Sequence, residues 1–398
     1  MTATDALDPL RAEFRGPLVT PGDADYDAAR AVWNAMVDKS PSVVARCTGP
    51  ADVVAAVNFA RERGLPTAVR GGAHSAAGKG TCDDGIVIDL SPMKGIRVDP
   101  AMRRVRAQGG VRWGEFDRET QAHGLATTGG VVSTTGIAGL TLGGGFGWLT
   151  RRFGLSCDNL ISVDLVTAQG DQLVCSGDEN TELFWALRGG GGNFGVATSL
   201  EYQLHPVGPI VLGGLIGWPL ARAAEILAFH REQTRTAPDE LGISATFVTA
   251  PPLPFIPEAL HSQPAVVAIL CWSGDLDEGR EVIRPWLDLA PPIQVVDAMP
   301  YTVMQSIQDE FAPPGRQSYW KAGYLTELTD DAIAAAVHVA AQVPSPFSLA
   351  EIVLWGGAIA RVDADETAFG QRDGRFHRAK TSHYKRRQAK YNEVVLEY

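Results

Sequence analysis

Apolar and polar positions alternate in two registers along the chain. Ser42–Cys47 (SVVARC) is a short apolar run of strand length. Val53, Val57 and Ala60 follow at helical spacing, with Pro50 suited to a first helical turn and Gly64 to a helix end. Pro66–Arg70 and Ile86–Leu90 then read as strands on either side of a glycine-rich loop at 71–80. The pattern predicts a β-α-β unit. Further strands are expected at Val105–Gly110, Ile161–Thr167, Gln172–Cys175 and Val196–Leu204, and helices at Trp113–His123 and Thr181–Leu187. Between them Gly129–Gly147 reads as one long glycine-punctuated loop. His205-Pro206 marks a boundary.

Beyond it, strand-like runs at Val211–Trp218, Ile243–Thr249, Ala265–Trp272, Gln294–Val296, Ser318–Leu325 and Leu349–Trp355 are separated by helical ones such as Ala221–Gln233, Glu278–Leu289 and Asp330–Gln342. This predicts an antiparallel sheet backed by helices, and an α+β chain overall. The expected divisions are a lead-in at 1–41 with a short helix near Ala28–Val37, a first domain at 42–207, a second at 208–374, and a tail at 375–398. That tail has seven basic residues, two acidic ones and little periodicity, and is read as solvated and disordered.

Composition narrows the function. The 398 residues carry a net charge of −11, which argues against a duplex nucleic-acid binder. No apolar run is long enough to span a membrane, and the N-terminus MTATDALDPLRAEF lacks the apolar block of a signal peptide. The five cysteines are odd in number with no CxxC, as in a reduced set, so a cytoplasmic protein is expected. Glycine is the informative excess: 27 of the 43 fall within residues 64–195.

Three glycine strings invite chemistry. Arg70-Gly71-Gly72-Ala73-His74-Ser75 opens a loop whose spacing fails the Walker pattern, yet successive amides there can form a nest for phosphate oxygens, with Arg70 adding charge. Gly190-Gly191-Gly192-Asn193-Phe194-Gly195 matches G-x-G-x-x-G, but a helix precedes it and a strand follows, the reverse of a dinucleotide fingerprint. Gly136–Gly147, with Gly143-Gly144-Gly145-Phe146-Gly147, is too apolar for a linker and suits backbone packed against a ring system. His74 is the only titratable side chain in the centre of its loop; a lone loop histidine is most often simply solvated. No His or carboxylate stands at metal-ligand spacing, and no G-x-S-x-G occurs.

Together, R-G-G-x-H-S, GIVIDLSPMKGIRVDP, GGGFG, RRFGLSCDNL and LFWALRGGGGNFGVATSLEYQLHPV form a pattern that resembles the berberine-bridge-enzyme-like FAD-linked oxidases. It covers 42–207 closely and continues in QSYWKAGYL and TAFGQRDGRF. The resemblance implies a two-lobed PCMH-type FAD-binding domain at 42–207 and a substrate domain at 208–374. It implies FAD cradled by Arg70, Gly71, Gly72, Ala73 and Ser75, and bonded covalently through His74. Thr134, Thr135, Gly136, Gly139, Gly144, Gly147 and Val196 would line the cofactor. A second link, from a cysteine, is not expected, because Val132 stands at that position. The implied reaction is hydride transfer from a C–H next to O or N of a sugar, alcohol or alkaloid-like molecule, with oxygen reduced to hydrogen peroxide.

Period-two alternation puts Tyr319, Lys321 and Gly323 on one face of their strand and Trp320, Ala322 and Tyr324 on the other. Tyr319 and Lys321 are the preferred catalytic pair, with Glu351 and Trp355 as further candidates. The family's terminal Y-x-N segment has no match in FHRAKTSHYKRRQAKYNEVVLEY, so an altered or truncated terminus is expected. That departure keeps open a flavin-binding protein that has lost catalysis. A noncovalent flavin reductase of the same broad fold is a further alternative, against which His74 counts.

Overall fold

The computed structural model describes residues 7–343 and 345–384. The β-α-β unit is present as strand Val43–Arg46, helix Pro50–Arg63 and strand Thr67–Arg70, with Ile86–Asp89 between the two strands and parallel to both. Pro50 opens the helix, and Gly64 ends it in the left-handed conformation (φ 62°), its N–H donating to the carbonyls of Ala60 and Arg61. The helix buries Val53, Ala56 and Phe59 against Val43, Ala45, Ile86 and Ile88. A second lobe is a sheet ordered Ile96–Asp99, Arg104–Gln108, Val196–Gln203, Leu160–Val166, Gln172–Ser176 among the described residues. Helix Trp113–Gln121 packs on it through Trp113 and Phe116, which meet Tyr202 edge-on.

The remaining strands form an antiparallel sheet ordered Ile293–Pro300, Ile210–Pro219, Pro264–Trp272, Leu241–Thr249, Leu349–Leu354, Phe376–Tyr384, Gln317–Leu325. Helices Ala223–Gln233, Leu276–Leu287 and Asp330–Ala340 cover one face, where Ile226, Leu227, Ile283, Trp286 and Ile333 meet Ile243, Ala245, Phe247, Ile352 and Leu354. The opposite face, bearing Val267, Ile269 and Cys271, packs on Trp148 and Leu149 of the second lobe's loops. The chain is α+β, as expected. Among the described residues no helix is long and apolar enough to cross a membrane.

Three elements differ from expectation. The helix near 28–37 is only Tyr26–Arg30; beyond it, Trp33 and Ala35 spend their backbone groups on distant partners, Ala73, Gly315 and Arg316. Within Gly129–Gly147, residues Ile137–Leu142 are helical, a turn hidden by the poor helix propensity of Gly139. The tail is not disordered from its start: Phe376–Tyr384 is a strand, paired on one side with Gln317–Leu325 and on the other with Leu349–Leu354. Residues 385–398 lie outside the described residues.

Candidate active site

The glycine strings converge where the two lobes join. Gly72 lies back to back with Gly136: a Cβ on Gly72 would come 2.2 Å from the Gly136 nitrogen, and one on Gly136 would come 2.3 Å from the Gly72 nitrogen. No side chain fits there. Gly71 lies against the carbonyl of Gly109 in the same way, at 2.9 Å. Gly136 begins the helix Ile137–Leu142, and the Leu142 carbonyl accepts from the amides of Gly189 (3.1 Å) and Gly191 (2.8 Å). The loops at 71–75, 131–136, 143–147 and 189–195 therefore form one continuous, backbone-lined surface. The Phe369 ring and backbone cover Gly144 and Gly189, where a Cβ would meet them at 2.6 and 2.5 Å.

His74 stands at the edge of this surface. Its Nε2 lies 2.8 Å from the Thr134 hydroxyl, and its ring stacks on Trp33 at 5.3 Å and 22°. The Trp33 amide donates to the carbonyl of Ala73, which is held at φ 60°, a conformation a non-glycine residue adopts at some cost. Burial, assisted by the charge of Arg112, pushes the His74 pKa down to about 4, so the imidazole is neutral near pH 7. In the tautomer that carries its proton on Nε2, that N–H donates to Thr134 and the lone pair of Nδ1 is available as a nucleophile.

The other expected cofactor residues fall into distinct places. Ser75 accepts the Lys79 amide and shapes the loop. The Thr135 carbonyl accepts from Trp113, and Gly147 lies so close to the Gly129 carbonyl (1.8 Å from a would-be Cβ) that no other residue fits. Gly139 is on the exposed side of its helix with open space around it. Val196 has its side chain in the core of the first lobe. Arg70 is not brought to the loop as a free charge: its guanidinium pairs with buried Asp89 at 2.6 Å and bonds the Ala29 carbonyl, fixing the loop's base. The positive charge that bears on the His74 imidazole is that of Arg112, a residue no motif singles out.

The Cys157 thiol is buried, and desolvation beside Asp158 holds its pKa well above the ordinary range. Among the described residues no three metal-ligating side chains cluster.

Register fixes which face of the second sheet turns to the cradle. Glu351 pairs with Thr246, Val353 with Ser244 and His377, and His377 with Tyr324; residues directly opposite share a face. Phe146 of the GGGFG string lies 4.8 Å from the His377 ring and 5.5 Å from Trp355. Tyr319, Lys321 and Gly323 alternate onto the other face, Gly323 aligning with Arg378 and Ile352 on the helix-covered side. The structure thus does not bring the Tyr319 and Lys321 pair to the cradle; Lys321 instead lies over the Tyr319 ring at 5.7 Å.

Glu351 is brought there. It lies where two clefts meet, one bordered by Val131, Phe146 and Gly147, the other running out over the sheet. Part of its surface opens to these clefts, yet dense surrounding protein desolvates the carboxyl and raises its pKa. Gln308 donates to its Oε1 at 3.5 Å. Two further ties hold the sheet side to the cradle: Asp309 accepts from the Ser133 amide (2.8 Å) and hydroxyl (2.5 Å), and Gln305 donates to the Gly130 carbonyl (2.9 Å). Neither Gln305 nor Asp309 carried a signal in the sequence, since both belong to a segment with no motif.

Comparison with known proteins fits this geometry. Residues 41–176 match a family model described as an FAD binding domain. The chain is 43% identical over 205 residues to (R)-6-hydroxynicotine oxidase of Paenarthrobacter nicotinovorans, a match covering 52% of this chain and 45% of that protein. It is 32% identical over 380 residues to an FAD-linked oxidoreductase of Dictyostelium discoideum, covering 94% and 80% of the two chains. The crystal structure of 6-hydroxy-D-nicotine oxidase from Arthrobacter nicotinovorans superposes with a TM-score of 0.82 at 27% identity, covering 96% and 83%. A berberine bridge enzyme variant in complex with (S)-reticuline shares the fold, with a TM-score of 0.83 at 19% identity and coverage of 96% and 80%. A glycine-walled cradle beside a neutral histidine, and relatives that extend the likeness across both domains, lead to one conclusion: this chain is an FAD-binding oxidoreductase of the berberine-bridge-enzyme-like family.

Proposed function

We propose that the protein is an oxidase that holds FAD by a single covalent bond, through His74, and oxidises a C–H next to oxygen or nitrogen in a small molecule, with molecular oxygen as the final acceptor and hydrogen peroxide as the product. When bound, FAD supplies the two-electron acceptor. The residues fit it: Gly72 and Gly136 meet backbone to backbone, a contact no side chain would allow, and this brings the amide-rich 71–75 loop against the start of helix Ile137–Leu142. The carrying observation is His74, a neutral imidazole with Nε2 tied to Thr134, standing at the edge of that surface. Val132 provides no thiol for a second bond.

Glu351 is the group best placed to take a proton from the substrate. Desolvation makes it a stronger base than an ordinary carboxylate, and Gln308 orients it. Trp33 and Thr134 hold His74, and Asp309 holds the turn that carries Thr134. Acid precipitation of the flavin-loaded protein tests the attachment. A fluorescent pellet is expected for the native sequence and flavin in the supernatant for His74→Ala. Complete release from the native sequence would refute it. Substrate-dependent peroxide formation tests the reaction.

A further inference from the structure

We infer that Phe369 is a positioning residue for the flavin. It is carried on a strap, residues 363–372, that reaches from the seven-stranded sheet to the FAD-binding lobes and pins the glycine loops 143–147 and 189–195 together. This rests on the proposal that those loops wall the cofactor.

In the chain the strap lies between strands Leu349–Leu354 and Phe376–Tyr384, yet its bonds go to the other domain. At its start the Trp185 indole donates to the Asp365 carbonyl (2.6 Å), Arg188 donates to the Glu366 carbonyl (2.8 Å), and the Ala368 amide donates to the Trp185 carbonyl (3.3 Å). At its end Arg372 donates to both oxygens of Asp158, at 2.7 and 3.1 Å, and to the Thr367 hydroxyl at 2.6 Å. Thr367 in turn accepts the Phe369 amide at 3.3 Å. The side chains of Arg372 and Asp158 are both buried. Such a pair fixes geometry, because separating it would strand a charge away from water. A chain of bonds therefore runs from Asp158 to the backbone of Phe369.

That chain delivers one ring. Gly144 (φ 107°) and Gly189 (φ 119°) stand at the C-terminal end of helix Ile137–Leu142, their amides donating to the Thr141 and Leu142 carbonyls. A Cβ on Gly144 would come 2.6 Å from the Phe369 ring, and one on Gly189 would come 2.5 Å from the Phe369 nitrogen. The hydrogens at these two positions make room for Phe369. Phe146 is the only side chain the loop 143–147 has to hold itself with, and glycine loses the most backbone freedom on ordering. The carbonyls of Gly144 and Gly145 accept the amides of Cys157 and Ser156, in the turn whose Asp158 is clamped by Arg372. The strap thus holds the loop from two sides. Phe146 meets His377 and Trp355 on the sheet, so the strap also sets how the cradle stands against the face that bears Glu351.

Visible circular dichroism of the flavin-loaded full chain tests this, since a bound flavin gives a signal that depends on how rigidly its surroundings hold it. Phe369→Ala should lose most of that signal per bound flavin. In a His74→Ala background it should release FAD about ten-fold faster, a lost contact acting mainly on the off-rate. Phe369→Leu keeps an apolar side chain in the seat and should recover most of both. Ile333→Ala, a cavity in the core on the helix-covered face of the sheet, is the stability control: it should lower urea stability comparably and leave both readouts native. Arg372→Lys keeps a charge beside Asp158 but loses the fork that also reaches Thr367. It should move both readouts the same way by less, and it keeps the test open if Phe369→Ala does not fold. Native dichroism and FAD release in folded Phe369→Ala or in Arg372→Lys, or shifts that Ile333→Ala reproduces, would overturn the inference. A native chain that binds no flavin, or holds it with the dichroism of free FAD, would overturn the cradle and this inference with it.

Discussion

Replacing Asp117 by asparagine removes a carboxyl that folding takes out of water without giving it a partner. Asp117 is on helix Trp113–Gln121, 1% exposed, and neither of its oxygens has a hydrogen-bond partner among the described residues. It faces Tyr301 and Gln305 on the short helix that reaches the Gly130 loop; Gln305 eases its burial only slightly, because that carboxamide donates to the Gly130 carbonyl instead. Desolvation raises the Asp117 pKa from 3.8 to about 8. The folded pKa lies above the unfolded one, so the group's contribution is intact below pH 3.8, declines as pH rises, and levels off above about 8. Between pH 3.8 and 7 that is about 3 pH units at about 1.4 kcal/mol each, or roughly 4 kcal/mol of lost stability at neutral pH. Asparagine carries no charge but leaves an amide unpaired at about 1–3 kcal/mol. Asp117→Asn should therefore be more stable than the native sequence by about 2 kcal/mol at pH 7 and no more stable at pH 4. Urea unfolding followed by tryptophan fluorescence at both pH values measures this. Parallel pH dependences for the two proteins would refute the reasoning.

Three further outcomes follow from the site. Glu351→Gln should lower kcat by about 10²–10³-fold while the flavin content stays constant, read by peroxide release and visible absorbance. Arg372→Met strands the buried carboxylate of Asp158, to which Arg372 donates at 2.7 and 3.1 Å, and should cost about 3–5 kcal/mol in urea unfolding. Trp33→Ala takes away the ring stacked on His74 and should lower the acid-stable fraction of flavin more than the total flavin bound, whereas a purely structural role would lower both together.

Much of the first domain was legible because its signals are local. Pro50 and Gly64 bracket a helix whatever surrounds it, and Gly71, Gly72, Gly136 and Gly147 stand where backbone touches backbone, a constraint that only glycine satisfies. The second domain was legible as alternation but not in its sense. Period two separates Tyr319 and Lys321 from Trp320 and Tyr324, yet which set faces the cradle depends on Phe376–Tyr384 entering the sheet between Gln317–Leu325 and Leu349–Leu354. The basic residues of that strand masked its alternation. The ion pair of Arg70 was hidden for a similar reason: its partner, Asp89, is 19 residues away and becomes its neighbour only when the parallel strands pair. The strength of Glu351 as a candidate comes from its surroundings, which are assembled from strands and loops far apart in the sequence.

The central claim is that His74 alone carries the flavin. Tryptic digestion of acid-denatured, flavin-loaded protein followed by peptide mass spectrometry tests it most directly. One flavin adduct is expected, on the peptide containing His74, with unmodified peptides for Cys47, Cys82, Cys157, Cys175 and Cys271. An adduct on any cysteine, or a His74 peptide of native mass with all flavin released, would contradict it.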